Sequence, residues 1–310
     1  MIDSKAGQPA DPVTDTDYRQ LLAQLPTRAR SRLSSRVVAA ILVLIAAFLL
    51  QSIIRNQAMQ WNVIGQYMFD SRILGGVVRT IELTIYSLVL GFALGLIVAV
   101  LRLSKSPTLR AIGGLWVWFF RAMPVLVLLI VVDNIAVLYP SISFGVPFGP
   151  VFWSSNLRAA IPAFGVAVLA FAFNESANAS EIFRASIKSI HPAQWEAATA
   201  LGMRHLRVYR RIIIPQAAQV AIPPLTNDSI NMMKNTSLVS FLAIPDLLYT
   251  AQTIYTQNYA VFPLLVVVSI WYVGLVSVLT ALQTLIERRF DRSGRVPRSG
   301  LRVWRWRQNG

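Results

Sequence analysis

The apolar positions of this chain gather into long runs separated by short polar stretches. Val37–Ile54, Val77–Leu101, Leu115–Tyr139, Ala159–Phe173 and Val261–Ile286 approach the roughly 20 residues that carry an α-helix across a bilayer. A weaker run, Ala217–Ile244, is interrupted by asparagine, aspartate and lysine. Polar groups at membrane depth face protein or a water-filled path, so this segment should point into the bundle. The pattern predicts an all-α polytopic membrane protein with a five-span core and one extra N-terminal span. Residues 1–36 precede the first run and no small-residue cleavage site follows it, which argues for a retained transmembrane helix at 37–54 over a secretory leader.

Finer patterning predicts contacts. Gly91-Phe-Ala-Leu-Gly95 spaces two small residues one helical turn apart, a pattern that lets two membrane helices approach closely. Glu82, early in its run, should either snorkel or pair with Arg79 at the surface. Between the fourth and the weak run, Pro192 suits a first helical position, where its missing N–H costs nothing. Trp195, Ala198 and Leu201 then recur on one face, and Gly202 is placed to stop the helix in the left-handed conformation. A second amphipathic helix is expected over Met203–Ile214, ending at Pro215. Such a helix pair can pass rigid-body motion to its adjoining spans, and Ala197 and Ala198 keep one face narrow enough to enter a cleft.

Composition agrees with the runs. Of 310 residues, 55% are hydrophobic and 14% charged, with a mean hydropathy of +0.54, against about 25% charged in soluble domains. The net charge of +15 would suit a nucleic-acid binder, but its distribution follows topology. Lys and Arg are retained on the cytoplasmic side. With the N-terminus inside, 23 of the 29 basic residues fall in residues 1–36, the loop 102–115, the loop 184–216 and the segment after Glu287. Both termini are therefore expected in the cytoplasm of a bacterial inner (plasma) membrane. The extension 1–36, with Pro9, Pro12 and Pro26, reads as mobile. The tail 291–310, with Trp304 and Trp306 among arginines, suits either an anionic membrane surface or free solution.

Catalytic chemistry has little to work with. The chain has no cysteine and two histidines, His191 and His205, which lack metal-ligand spacing and read as solvated loop residues. No Gly-x4-Gly-Lys-Ser/Thr segment occurs, so the phosphates of ATP have no P-loop cradle here. No metal, catalytic residue or cofactor is expected in this chain, and any ATP hydrolysis must come from a partner. The ionisable residues within the spans each call for a reason, since a charge at mid-bilayer costs about 2.5–3.5 kcal/mol on insertion scales. Asn174, Asn178 and Glu181 share a helix face, with Glu175 one residue round. Two readings stand: the stripe lines a substrate path, or the glutamates clamp helices by pairing with Arg121 or Lys234. Asp133 and Asn134 interrupt another run near its outer end, and either line the path or sit at the membrane interface with Tyr139.

Several segments together carry a family resemblance. Glu196-Ala-Ala-Thr-Ala-Leu-Gly202, followed by Ile212-Ile-Ile-Pro215, resembles the EAA loop of binding-protein-dependent ABC importer permeases, with Ile214 where that pattern usually has Leu. Gly75–Thr84, Phe120-Arg121-Ala-Met-Pro124, Asn174–Ile182, Pro223-Pro224-Leu-Thr-Asn227 and Lys234–Ser240 resemble segments of the polar amino acid branch. Ala122, Met123, Asn178 and Asn235 depart from that branch's usual residues. The resemblance covers roughly residues 73–289 and implies the permease subunit of an ATP-driven importer of polar amino acids. It implies a permease domain over 72–290, paired with a second permease subunit, identical or paralogous. Two cytoplasmic ATP-binding cassette subunits would dock on the loop 184–216 through Glu196, Ala197, Ala198, Gly202 and Pro215. An extracytoplasmic binding protein would deliver cargo, with the outer loop Pro140–Asn156 as its landing place. Glu175, Asn178, Glu181, Asn174 and Asn134 match the substrate path. Rival readings are another small zwitterion, such as an opine or osmolyte, on the same machinery, and a secondary transporter, whose inverted repeat is not seen.

Overall fold

The computed structural model describes residues 32–146 and 151–291; most of the N-terminal extension and nearly all of the basic tail lie outside them. The chain divides into two compact units, residues 1–59 and 60–310. In the first, α1 (Arg32–Arg55) is an uninterrupted apolar helix, followed by a short 3-10 turn at Gln57–Met59.

The second unit opens with α2 (Trp61–Met68) and α3 (Ser71–Leu103). Asp70 caps α3, its carboxylate accepting from the Arg72 N–H at 2.8 Å, as an N-cap side chain does. α4 (Pro107–Ala122) starts on a proline, and α5 (Val125–Leu138) follows after Met123 and Pro124. These two helices were expected as one span over Leu115–Tyr139. They are instead bent by 106°, because a residue before proline is driven out of the helical region and Met123 sits extended at φ −84°, ψ 126°.

After α5 comes a pair of strands, β1 (Ser141–Gly145) against β2 (Val151–Asn156), antiparallel with Ser141 opposite Asn156. Asn156 then caps the short α6 (Leu157–Ala160) by accepting from the Arg158 and Ala159 N–H groups. α7 (Ala163–Lys188) begins after Pro162 and runs well beyond the apolar segment that predicted it. α8 (Pro192–Ala200) and α9 (His205–Val208) form the connecting loop.

A π-turn over Tyr209–Ile213 joins α9 to α10 (Ile214–Asn235) without a stop. The expected end at Pro215 is thus corrected. A proline ring clashes with the carbonyl of residue i−4 in an α-helix, and an inserted π-turn displaces that carbonyl so that the helix passes through. A 3-10 stretch over Thr236–Leu242 leads to α11 (Leu247–Asn258) and α12 (Val261–Asp291).

Among the described residues three helices are long and apolar enough to cross a membrane, and up to five spans result if each bent pair counts as one. The centre of the second unit is α3 packed on α7. A Cβ on Gly91 would lie 2.8 Å from Glu175 Cβ, and one on Gly95 would lie 2.8 Å from Ala179 Cβ. The small-residue pair therefore sets the helix separation, as its spacing predicted. One apolar cluster (Leu83, Leu129, Phe171, Val239) gathers α3, α5, α7 and the 3-10 stretch; another (Ile73, Leu247, Leu264) gathers α3, α11 and α12.

Candidate functional site

The loop between α7 and α10 is built on a small core of its own. Ala198, Val208 and Ile213 are buried together, with Trp195, Met203 and Ile187 packed round them. Trp195 meets Tyr209 edge-on at 4.8 Å. Pro192 occupies the start of α8, and the exposed His191 caps it, Nδ1 accepting from the Ala193 N–H at 3.2 Å. Sequence reasoning gave that histidine no role. The helix ends with Gly202 at φ 68°. The Gly202 N–H donates to the Thr199 carbonyl and the Met203 N–H to the Ala198 carbonyl, the paired bonds of a Schellman ending. Leu201, expected on one face with Trp195 and Ala198, is 80% exposed while Ala198 is buried, because the left-handed turn swings the chain away just there. Glu196 and Ala197 are exposed, Ala198 is buried and Pro215 is exposed on α10. The elbow thus presents one acidic and several small groups on a rigid base.

The polar stripe of α7 divides among distinct neighbours. The Asn174 side chain donates to the Phe120 carbonyl at 2.9 Å, and Trp116 donates to Ser176 Oγ at 2.9 Å, so this part of the stripe ties α4 to α7. Phe120, Trp116 and Phe173 stack around those bonds. Glu175 is buried on the face toward Gly91. Its Oε1 and, on α3, Ser87 Oγ are each buried without a hydrogen-bond partner, a costly condition for polar groups. Asn178 is half-buried. Glu181 takes Arg102 from α3 and Arg184 from its own helix, not the Arg121 or Lys234 that the clamp reading expected. Asn134 is exposed and donates to the Ile130 carbonyl of α5 at 2.9 Å, and Asp133 pairs with Arg158 at 2.6 Å. Glu82 pairs with Arg79 at 2.9 Å, one of its two expected arrangements.

A junction that sequence reasoning missed holds α11 to α3. Asp246 is wholly buried and caps α11, accepting from the Tyr249 N–H at 2.8 Å. Thr80 Oγ1 accepts from the Leu247 N–H at 3.1 Å, and a Cβ on Gly76 would lie 2.9 Å from Leu247 Cα. The signal was present as Gly76 and Thr80 one turn apart, and as an aspartate directly before an apolar pair.

A family model described as "Binding-protein-dependent transport system inner membrane component" matches residues 91–292. The chain is 36% identical over 260 residues to the arginine transport system permease protein ArgU of Corynebacterium glutamicum, covering 83% of this chain and 80% of that one. It is 37% identical over 236 residues to the L-cystine transport system permease protein TcyB of Bacillus subtilis, covering 76% and 93%. Among solved structures, an amino acid ABC transporter crystallised with histidines superposes with a TM-score of 0.63 at 29% identity, over 73% of this chain and 97% of that one. The MetNI methionine ABC transporter, at 19% identity and a TM-score of 0.54 over 76% and 99%, shares the fold.

Proposed function

The chain belongs to the family of binding-protein-dependent transport system inner membrane components, and from that membership we infer how its parts divide the work. It is a multi-pass membrane permease subunit of an ABC importer of amino acids. We propose that its partners are an extracytoplasmic binding protein, two cytoplasmic ATP-binding cassette subunits that hydrolyse ATP-Mg, and a second permease subunit completing the pathway. Both termini lie in the cytoplasm, in keeping with the basic residues crowded at that end. The strand pair of β1 and β2 is the landing place for the binding protein.

The observation that carries the coupling role is the elbow. α8 is locked by the Gly202 ending and by the buried Ala198, Val208 and Ile213, and it connects directly to α7 and, through the π-turn, to α10. A push on Glu196 and Ala197 therefore reaches both membrane helices as a rigid displacement. Gly202, Ala198 and Pro215 keep that lever stiff. Replacing Gly202 by valine meets open space around the new side chain but a left-handed backbone, which costs about 1–2 kcal/mol in a residue with a Cβ and more in a β-branched one. ATP hydrolysis by the reconstituted complex should persist while uptake falls at least tenfold. Normal coupled uptake would remove the coupling role.

For cargo, the arrangement separates the two glutamates. Glu181 is engaged by two arginines and acts as a clamp. Glu175, with one oxygen unpartnered, is the carboxylate left for the ammonium of an amino acid once α3 and α7 part, with Asn178 and Asn134 along the path and Asn174 steadying α4. Glu175→Gln, which keeps the shape, should raise the KM for uptake several-fold with little change in the thermal stability of the complex; an unchanged KM would leave Glu175 a packing residue.

A further inference from the structure

At the basic end of the bundle, the C-terminal turns of α3 and α7 and the first turns of α10 leave a groove of about 790 Å³. That volume is within the roughly 300–1,000 Å³ of small-ligand sites. Val100, Phe183, Ile187, Ala218 and Leu225 line it, and its hydroxyls come from Ser104, Ser186 and Tyr209 alone. So apolar a lining does not suit a water-filled path for a zwitterion. Exposed to water it would be unfavourable, and an aliphatic chain laid in it would be favourable.

Leu206 belongs both to this groove and to a neighbouring depression walled by Arg204, His205, Arg207, Arg210 and Arg211. Among the described residues none of those arginines is ion-paired, and Glu181 is taken by Arg102 and Arg184. A long apolar slot therefore opens beside a set of free guanidinium groups. Guanidinium binds phosphate through paired, charge-assisted hydrogen bonds. On the orientation proposed above this end meets the leaflet that is rich in anionic lipid, where each basic side chain contributes to retention.

We propose that this is a binding site for an anionic phospholipid. One acyl chain lies between α3, α7 and α10, and the phosphate sits on Arg207, Arg210 and Arg211. The lipid covers the apolar face beside Leu206 and Tyr209, between α8 and α10 in the chain, and would stiffen the joint through which the elbow moves α10.

The test uses the intact transporter complex, reconstituted in bilayers of equal phosphatidylglycerol and phosphatidylcholine and then examined by native mass spectrometry. Phosphatidylglycerol should stay on this chain in preference to phosphatidylcholine. Arg210→Ala with Arg211→Ala should lower that retention by about fivefold per arginine. Ala218→Trp, which fills the slot and leaves the arginines, should lower retention of both lipids. Size-exclusion elution and circular dichroism of each variant establish that it is folded. Equal retention of the two lipids, or retention that neither variant alters, would overturn the site. A photo-crosslinking amino acid substituted for Ala218 should capture lipid; capture of a second permease subunit or of the ATPase there would instead assign the groove to protein. None of these readouts depends on which side faces the cytoplasm, so they stand or fall apart from the transport reading.

Discussion

The described glycines differ in what an added methyl group would meet. At Gly91 and Gly95 the neighbouring helix stands where a Cβ would go, with backbone atoms of α7 (Ala172 O and Ser176 O) 3.4 and 3.0 Å from the new atoms. An alanine there gains about 1 kcal/mol of helix propensity but loses about 1–3 kcal/mol to overpacking, and the loss should win. Gly95→Ala should lower the melting temperature of the purified subunit, whereas Gly114→Ala, with open space around it, should raise it slightly. A thermal shift of the same sign for both would mean that the contact at Gly95 does not set the separation of α3 and α7. Gly202 stands apart, because its constraint is the backbone angle and not a neighbour. Asparagine, which tolerates the left-handed region, should therefore preserve coupling far better there than valine.

At the scale of elements, the joints decide how far the regular helices extend. Pro124 breaks one predicted span into α4 and α5, while Pro215, Pro223 and Pro224 lie inside a helical path that continues. The difference is local: Met123 is extended before Pro124, whereas the π-turn over Tyr209–Ile213 makes room for Pro215. The ion triad of Arg102, Glu181 and Arg184 is the corresponding joint between α3 and α7. Its side chains are between one-fifth and one-third exposed, so removing the carboxylate with Glu181→Gln should cost about 1–2 kcal/mol, between the exposed and buried limits for ion pairs. A double-mutant cycle with Arg102→Ala, read by thermal unfolding in detergent, should return a coupling energy of that order. A coupling near zero would show that the arginine is held by packing alone.

For the whole molecule, charge and hydropathy set the relation to the bilayer, and on the proposed function separate subunits supply energy and cargo. Uptake by the assembled transporter should cease when the ATPase subunits are inactivated by substitution of their phosphate-binding lysine, with the permease still inserted. Uptake that persists would favour a secondary transporter. The basic residues of the loop 184–216 and of the loop 102–115 belong to the same end of the second unit, since Arg102 and Arg184 share Glu181. The same-side assignment read from charge counts thus has a direct contact in its support.

The membrane class, the close-packing glycines, the cap at Gly202 and the Arg79–Glu82 pair were legible in the sequence, because each depends on composition or on residues within a turn or two of one another. The partners of Glu181, the burial of Glu175 and Asp246, the bend at Pro124 and the passage of the helix through Pro215 were decided only in the folded chain. The physical reason is range. Propensity and periodicity record what a helix can do alone, whereas an ion pair across 79 positions, or a hydroxyl meeting an amide 167 positions away, exists only once packing has brought two helices together.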